Sequence, residues 1–229
     1  MKVGQTASLA RADVKSQPMI KVKICGITNA EDALMAVEAG ADALGFVFYD
    51  KSPRCIAPGK AAEIVKVLPP FVTTVGLFVN ADPHFVNTTV ERCLLDRVQL
   101  HGDESPEFCS RIGRPVVKVF RIKGEASLLP MKDYHVSGYL LDAYSPDAYG
   151  GTGMTFNWEI AKTAKQYGPI ILAGGLTPDN VRQAVEAVKP YAVDVSSGVE
   201  AAPGRKDAGK VSKFIQNVKD FWRKNETTR

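Results

Sequence analysis

Cysteine is scarce in this chain and poorly placed for pairing. The four that occur, Cys25, Cys55, Cys93 and Cys109, stand far apart with no Cys-x-x-Cys pair among them. That spacing lacks the usual zinc signatures, and a chain of 229 residues has no need of disulfide staples. No metal site is expected, and the thiols are expected to be free, in a reducing compartment. Long apolar runs are missing too: residues 1–18 hold none of signal-peptide length, and no later stretch approaches a membrane span. These absences predict a cytoplasmic protein with no membrane partner. An excess of one charge sign is also lacking. The net charge is only +4 and the basic residues are dispersed, which argues against nucleic acid as a partner. Finally, no stretch rich in Pro, Gly or Ser marks a linker, so one domain is expected.

What is present is ordinary for a globular protein with a sizeable core: 45% apolar and 24% charged residues. Residues 1–19 are polar and mixed in charge, without sustained periodicity. They read as a loosely ordered tail, helical in part around Ser8–Val14, ahead of a domain spanning 20–229. From Ile20 a regular alternation begins. Apolar strand candidates fall at Ile20–Cys25, Ala43–Phe48, Thr73–Val79, Arg97–Leu100, Val116–Arg121, Gly138–Leu141, Ile170–Ala173 and Ala192–Val195. Helix candidates lie between and after them at Ala30–Ala39, Pro58–Leu68, Pro83–Cys93, Pro106–Ile112, Ala126–Met131, Asn157–Tyr167, Pro178–Val188 and Asp207–Lys224. Thr28 or Asn29 can cap the first helix, and Asp82-Pro83 and Thr177-Pro178 put proline at a first helical position. Gly40 and Gly113 stand where helices are expected to end. Eight such units imply a parallel sheet covered on both faces, and the unit count favours an α/β (β/α)8 TIM barrel over a doubly wound open sheet.

In such a barrel the chemistry sits at the carboxyl ends of the strands and on the loops after them. Two loops there have the composition of a phosphate cradle, where glycine lets backbone N–H groups approach an anion: Ala173-Gly174-Gly175-Leu176 and Asp194-Val195-Ser196-Ser197-Gly198. Each alone reads as a tight turn; both in register favour phosphate. A third loop, Gly150-Gly151-Thr152-Gly153, either closes over a substrate or simply turns. Cys25 is either a small buried apolar residue or a catalytic thiolate, which as a base opposite Asp142 would suit proton transfer on a sugar carbon. Lys23, on the same strand face, and a nearby helix terminus are expected to lower its pKa. Asp142 follows the apolar Tyr139–Leu141 and is expensive to bury unpaired, so it is either exposed, a cap, or functional. Arg54, in Ser52-Pro53-Arg54, is a surface arginine or a bidentate carboxylate clamp. His101 lines the cavity or caps a turn, while His84 and His135 have no constellation around them.

Taken together, the motifs Lys23–Thr28, Gly40-Ala41-Asp42, Ser52-Pro53-Arg54, Val98–Gly102, Leu141-Asp142, Gly151–Gly153, Leu172–Leu176 and Asp194–Glu200 resemble the phosphoribosylanthranilate isomerases of tryptophan biosynthesis, from about Ile20 to Phe221. The resemblance implies a barrel that needs no cofactor. It implies an Amadori rearrangement of N-(5-phosphoribosyl)anthranilate, a phosphorylated anthranilate, to 1-(2-carboxyphenylamino)-1-deoxyribulose 5-phosphate. By the same resemblance Asp142 is the general acid, Cys25 the general base and Arg54 the clamp for the anthranilate carboxylate. Gln99, His101, Gly153, Gly174, Gly175, Asp194, Ser197 and Gly198 complete the substrate site, in a monomer or homodimer. Rivals are another phosphosugar barrel, such as an indole-glycerol-phosphate synthase built on a lysine like Lys118 or a sugar isomerase built on paired aspartates, and a non-catalytic phosphate-binding barrel.

Overall fold

The structure is a computed structural model that describes residues 19–144 and 157–226, with side chains through Phe221. The tail and the Gly150–Gly153 loop lie outside the described residues. Eight parallel strands close on themselves: β1 (Lys21–Cys25), β2 (Ala43–Val47), β3 (Thr73–Phe78), β4 (Arg97–Leu100), β5 (Val116–Ile122), β6 (Gly138–Ala143), β7 (Ile170–Leu172) and β8 (Ala192–Val195). Each pairs with its sequence neighbour, and β8 returns to β1 with Asp194 opposite Lys23, so the barrel is closed and the open sheet is excluded. Helices α1 (Ala30–Glu38), α2 (Pro58–Lys66), α3 (Pro83–Cys93), α4 (Pro106–Ser110), α5 (Trp158–Ala164), α6 (Val181–Val188) and α7 (Ala208–Glu226) wrap the outside.

Local chemistry sets these boundaries. Asn29 caps α1 by accepting from the Asp32 N–H, and Asp82 caps α3 by accepting from His84 and Phe85 ahead of Pro83. Three expectations differ. The β5–β6 crossover is a 3-10 segment, Glu125–Asp133, because Pro130 inside it has no N–H for an α-helical ladder. The helix expected from Pro178 begins at Val181: Asn180 accepts from the Thr177 N–H and donates to the Gly175 carbonyl, which holds residues 177–180 as a turn. Gly113 does not end a helix, since α4 stops at Ser110 with Arg111 as its C-cap. After β8 the chain also makes a small antiparallel hairpin, β9 (Glu200–Ala202) with β10 (Arg205–Lys206).

Strand alternation sorts the core. Outward residues such as Ile24, Leu44, Phe46, Phe78 and Leu141 pack under the helices in one continuous cluster. The barrel interior holds two small apolar groups, Cys25 with Val47, Leu77 and Val79, and Val117 with Val119, Leu140 and Ala173. Lys23, Gln99, Asp142 and Asp194 are buried as well. Leaving one such group unpaired costs about 1–3 kcal/mol, comparable to what a buried Leu contributes. Polar groups retained there need partners or a function.

Candidate active site

Residues 23 and 25 point inward because side chains alternate along β1. The Lys23 ammonium lies 2.9 Å from Asp194 Oδ1 on β8, and both groups are almost wholly buried. Cys25 stands opposite Gly45 of β2, where a Cβ would sit 2.8 Å from the thiol sulfur and 3.0 Å from Lys23 Nζ. Any larger residue at position 45 would therefore push into the thiol and the ammonium. Burial depresses the Lys23 pKa, but Asp194 and Cys25 together hold it above the ordinary lysine value. For the Cys25 thiol burial is the largest influence and pushes its pKa up, outweighing the pull of Lys23. The lowered thiol expected from sequence is thus corrected: desolvation, invisible in the residue order, exceeds the attraction of the adjacent cation.

On the other side of the barrel interior, Gln99 of β4, His101 just beyond it and Asp142 within β6 converge. Asp142 is buried inside its strand rather than standing after it, and its Oδ1 accepts the Ala143 N–H at 2.9 Å. His101 Nε2 lies 3.2 Å from Asp142 Oδ2 but makes no aligned hydrogen bond among the described residues. The Gln99 amide nitrogen is 3.3 Å from His101 Nδ1.

The strand seven and eight loops close the same space. Gly174 and Gly175 take φ of +78° and +61°, a left-handed path that side chains resist. At Gly198 a Cβ would overlap the Leu176 carbonyl, so the two loops touch through backbone. Arg54 comes from the loop after β2 and lines the cavity. Glu200 of β9 takes its Nε at 2.9 Å and its Nη2 at 2.8 Å, while Lys206 of β10 donates to Glu200 at 2.9 Å. Burial raises the Glu200 pKa, but Arg54 and Lys206 together hold it below the ordinary carboxylate value. Arg54 Nη1 carries no hydrogen bond among the described residues, so the end of the fork remains for a ligand. The cavity has a volume of about 480 Å³, and Cys25, Arg54, His101, Asp142, Gly175 and Ser197 all border it.

A family model described as N-(5'phosphoribosyl)anthranilate (PRA) isomerase matches residues 22–217. The chain belongs to this family. A curated relative of that name from Geobacter sulfurreducens is 68% identical over 203 residues, covering 89% of this chain and all of the relative. Another, from Pelobacter propionicus, is 58% identical over 211 residues, covering 92% of this chain and all of the relative. The crystal structure of phosphoribosyl anthranilate isomerase from Thermotoga maritima superposes with a TM-score of 0.82 at 45% identity, covering 88% of this chain and all of that one. A further structure of the isomerase, in complex with reduced 1-(o-carboxyphenylamino)-1-deoxyribulose 5-phosphate, gives 0.79 at 43% identity over 88% of this chain and all of that one.

Within this family frame, the cavity brings together Cys25, Arg54, Gln99, His101, Asp142, Gly174, Gly175, Asp194, Ser197 and Gly198; Gly153 lies outside the described residues. Lys118 is not among them. Its ammonium is buried under the loop after β4, bonded to Glu104 at 3.0 Å and to the Gly102 carbonyl at 2.8 Å. A lysine-based synthase chemistry therefore has no lysine at that position to use. Sequence reasoning missed Gly45, Glu200 and Lys206 as supports of the site. A glycine inside an otherwise apolar strand was the available signal for Gly45. Nothing local marked Glu200, whose partner Arg54 lies 146 residues away.

Proposed function

We infer that this chain is an N-(5'-phosphoribosyl)anthranilate isomerase of tryptophan biosynthesis, an aldose–ketose isomerase, and that its own residues divide the Amadori rearrangement as follows. Asp142 gives its proton to the furanose ring oxygen. The C1–O bond breaks and the anthranilate nitrogen lone pair forms a C1=N iminium. The Cys25 thiolate then takes the proton from C2, and that C–H pair becomes the C1=C2 bond of a neutral enolamine. Protonation at C1 and loss of the hydroxyl proton at C2 give the ketose. Lys23 faces the thiolate with a fixed positive charge, and Asp194 keeps that charge oriented and compensated. Arg54 offers its free edge to the anthranilate carboxylate while Glu200 holds the other edge. The Gly174–Gly175 and Ser197–Gly198 backbone cradles the phosphate.

One observation carries this assignment: Cys25 and Asp142 border one cavity, from β1 and β6, with both glycine loops at its rim. The test is conversion of N-(5-phosphoribosyl)anthranilate by the purified chain, with Cys25→Ser and Asp142→Asn as comparisons. Turnover retained in both variants would remove the acid and base from these positions.

We place the reaction in the cytoplasm. All four cysteines are unpaired, which suits a reducing compartment, and no described helix is long and apolar enough to cross a membrane. A homodimer is the assembly to test beside the monomer, because the Thermotoga maritima relative is described as dimeric.

A further inference from the structure

Two buried polar atoms in the cavity wall have no part in that mechanism. Gln99 Oε1 and His101 Nε2 are both enclosed without a hydrogen-bond partner among the described residues. Gln99 and His101 are two residues apart along β4 and its extension, so both side chains enter the barrel, and each is at most 6% exposed. Their contact is between two nitrogens, the Gln99 amide nitrogen and His101 Nδ1, at 3.3 Å. In that orientation the amide donates to Nδ1, and a neutral ring must carry its proton on Nε2, facing Asp142 Oδ2 at 3.2 Å. Asp142 is then a carboxylate and the cluster holds no proton to give.

A carboxamide exchanges its oxygen and nitrogen by a half-turn about its last bond, with almost no change in shape. After that half-turn Oε1 accepts from Nδ1–H. Nε2 then shares a proton with Asp142 Oδ2, whether the pair is neutral or ionic. The Gln99 NH2 turns the other way, still bordering the cavity, where substrate oxygens are acceptors. We propose that Gln99 is a positioning residue that holds a proton on His101 Nδ1, so that His101 and Asp142 together store the one transferable proton on the line between Nε2 and Oδ2. The other charged groups bordering this cavity are Lys51, Arg54, Arg121 and Asp194; Arg54 pairs with Glu200, Arg121 of β5 with Asp103, and Asp194 of β8 with Lys23. Delivery leaves a balanced account. The proton goes to the ring oxygen, Asp142 becomes a carboxylate, and His101 remains neutral with its proton on Nδ1. This inference rests on Asp142 as the acid but fails separately from it.

The experiment is nitrogen-15 NMR of the histidine side chains in the full chain at a pH where it turns over. Only three histidines occur, His84 and His135 are exposed, and His101→Asn assigns the remaining signal. The expected wild-type result is a protonated Nδ1. A neutral ring protonated on Nε2 alone would overturn the proposal, even if Asp142→Asn is inactive and the acid assignment stands. Gln99→Leu removes the acceptor: Nδ1 should lose its proton and kcat should fall about tenfold, the effect of one neutral hydrogen bond. An unchanged tautomer in that variant would overturn the proposal as well, whatever happens to kcat.

Discussion

In the proposed mechanism the Cys25 thiol carries most of the chemistry, and two influences act on it in opposition. Burial pushes its pKa up and Lys23 pulls it down, with burial prevailing. Only the thiolate can accept the C2 proton, so kcat/KM should rise with pH and its rising limb should lie above the ordinary thiol value near about 8.5. The stability linkage has a definite sign. A thiol whose folded pKa is raised contributes stability that is complete below its unfolded pKa and is lost as pH climbs through the folded one. Cys25→Ser, with a far weaker base of similar size, should lower turnover by roughly a hundred- to ten-thousandfold and leave product binding in place. Arg54 gives a second test at this scale. Arg54→Ala should weaken transition-state binding of the carboxylated substrate by on the order of 2–5 kcal/mol, while an analogue without the carboxylate should hardly respond. Steady-state kinetics on both compounds separates these outcomes, and equal losses would take Arg54 out of the clamp role.

Among the elements, the loops after β7 and β8 and the β9–β10 hairpin do different work. The first two meet through backbone, so Gly198→Val would force the Leu176 carbonyl away. That variant should raise the inhibition constant for inorganic phosphate; an unchanged constant would locate the anion elsewhere. The hairpin carries Glu200, which compensates both Arg54 and Lys206. Glu200→Gln should therefore cost about 3–5 kcal/mol in denaturant unfolding, because buried Lys206 and half-buried Arg54 lose their partner. How legible these parts were follows from their range. The strand-end motifs announced themselves locally: an apolar run that stops at Cys25-Gly26, another that runs into Asp142, and glycine pairs at the start of loops. Cap chemistry at Asn29 and Asp82 was equally local. The hairpin was not legible, since strands of three and two residues leave no periodicity, and the Arg54–Glu200 pair joins segments that only closure of the barrel brings together. The 3-10 segment at Glu125–Asp133 was misread for another reason: its apolar spacing is helical, and one proline decides against it.

At the scale of the whole molecule, the barrel separates what stabilises from what reacts. Lys118 and Glu104 illustrate the first. They form a buried pair outside the cavity, and Glu104 also accepts the Asn80 and Gly102 N–H groups, tying together the loops after β3 and β4. Lys118→Met should destabilise by about 3–5 kcal/mol while folded enzyme keeps its kcat, since that side chain does not line the cavity. A loss of kcat in folded protein would return Lys118 to the candidate chemistry. The cavity illustrates the second, because its polar groups are drawn from β1, β4, β6 and β8 and meet only when β8 closes on β1. In the proposed mechanism Cys25 and Asp142 are base and acid for two obligatory steps of one rearrangement. The most direct test is kcat/KM for N-(5-phosphoribosyl)anthranilate measured on wild type, Cys25→Ser, Asp142→Asn and the double variant in parallel. Each single variant should lose most of its activity, and the double variant should be scarcely worse than the poorer of them. Near wild-type turnover in either single variant would contradict that mechanism.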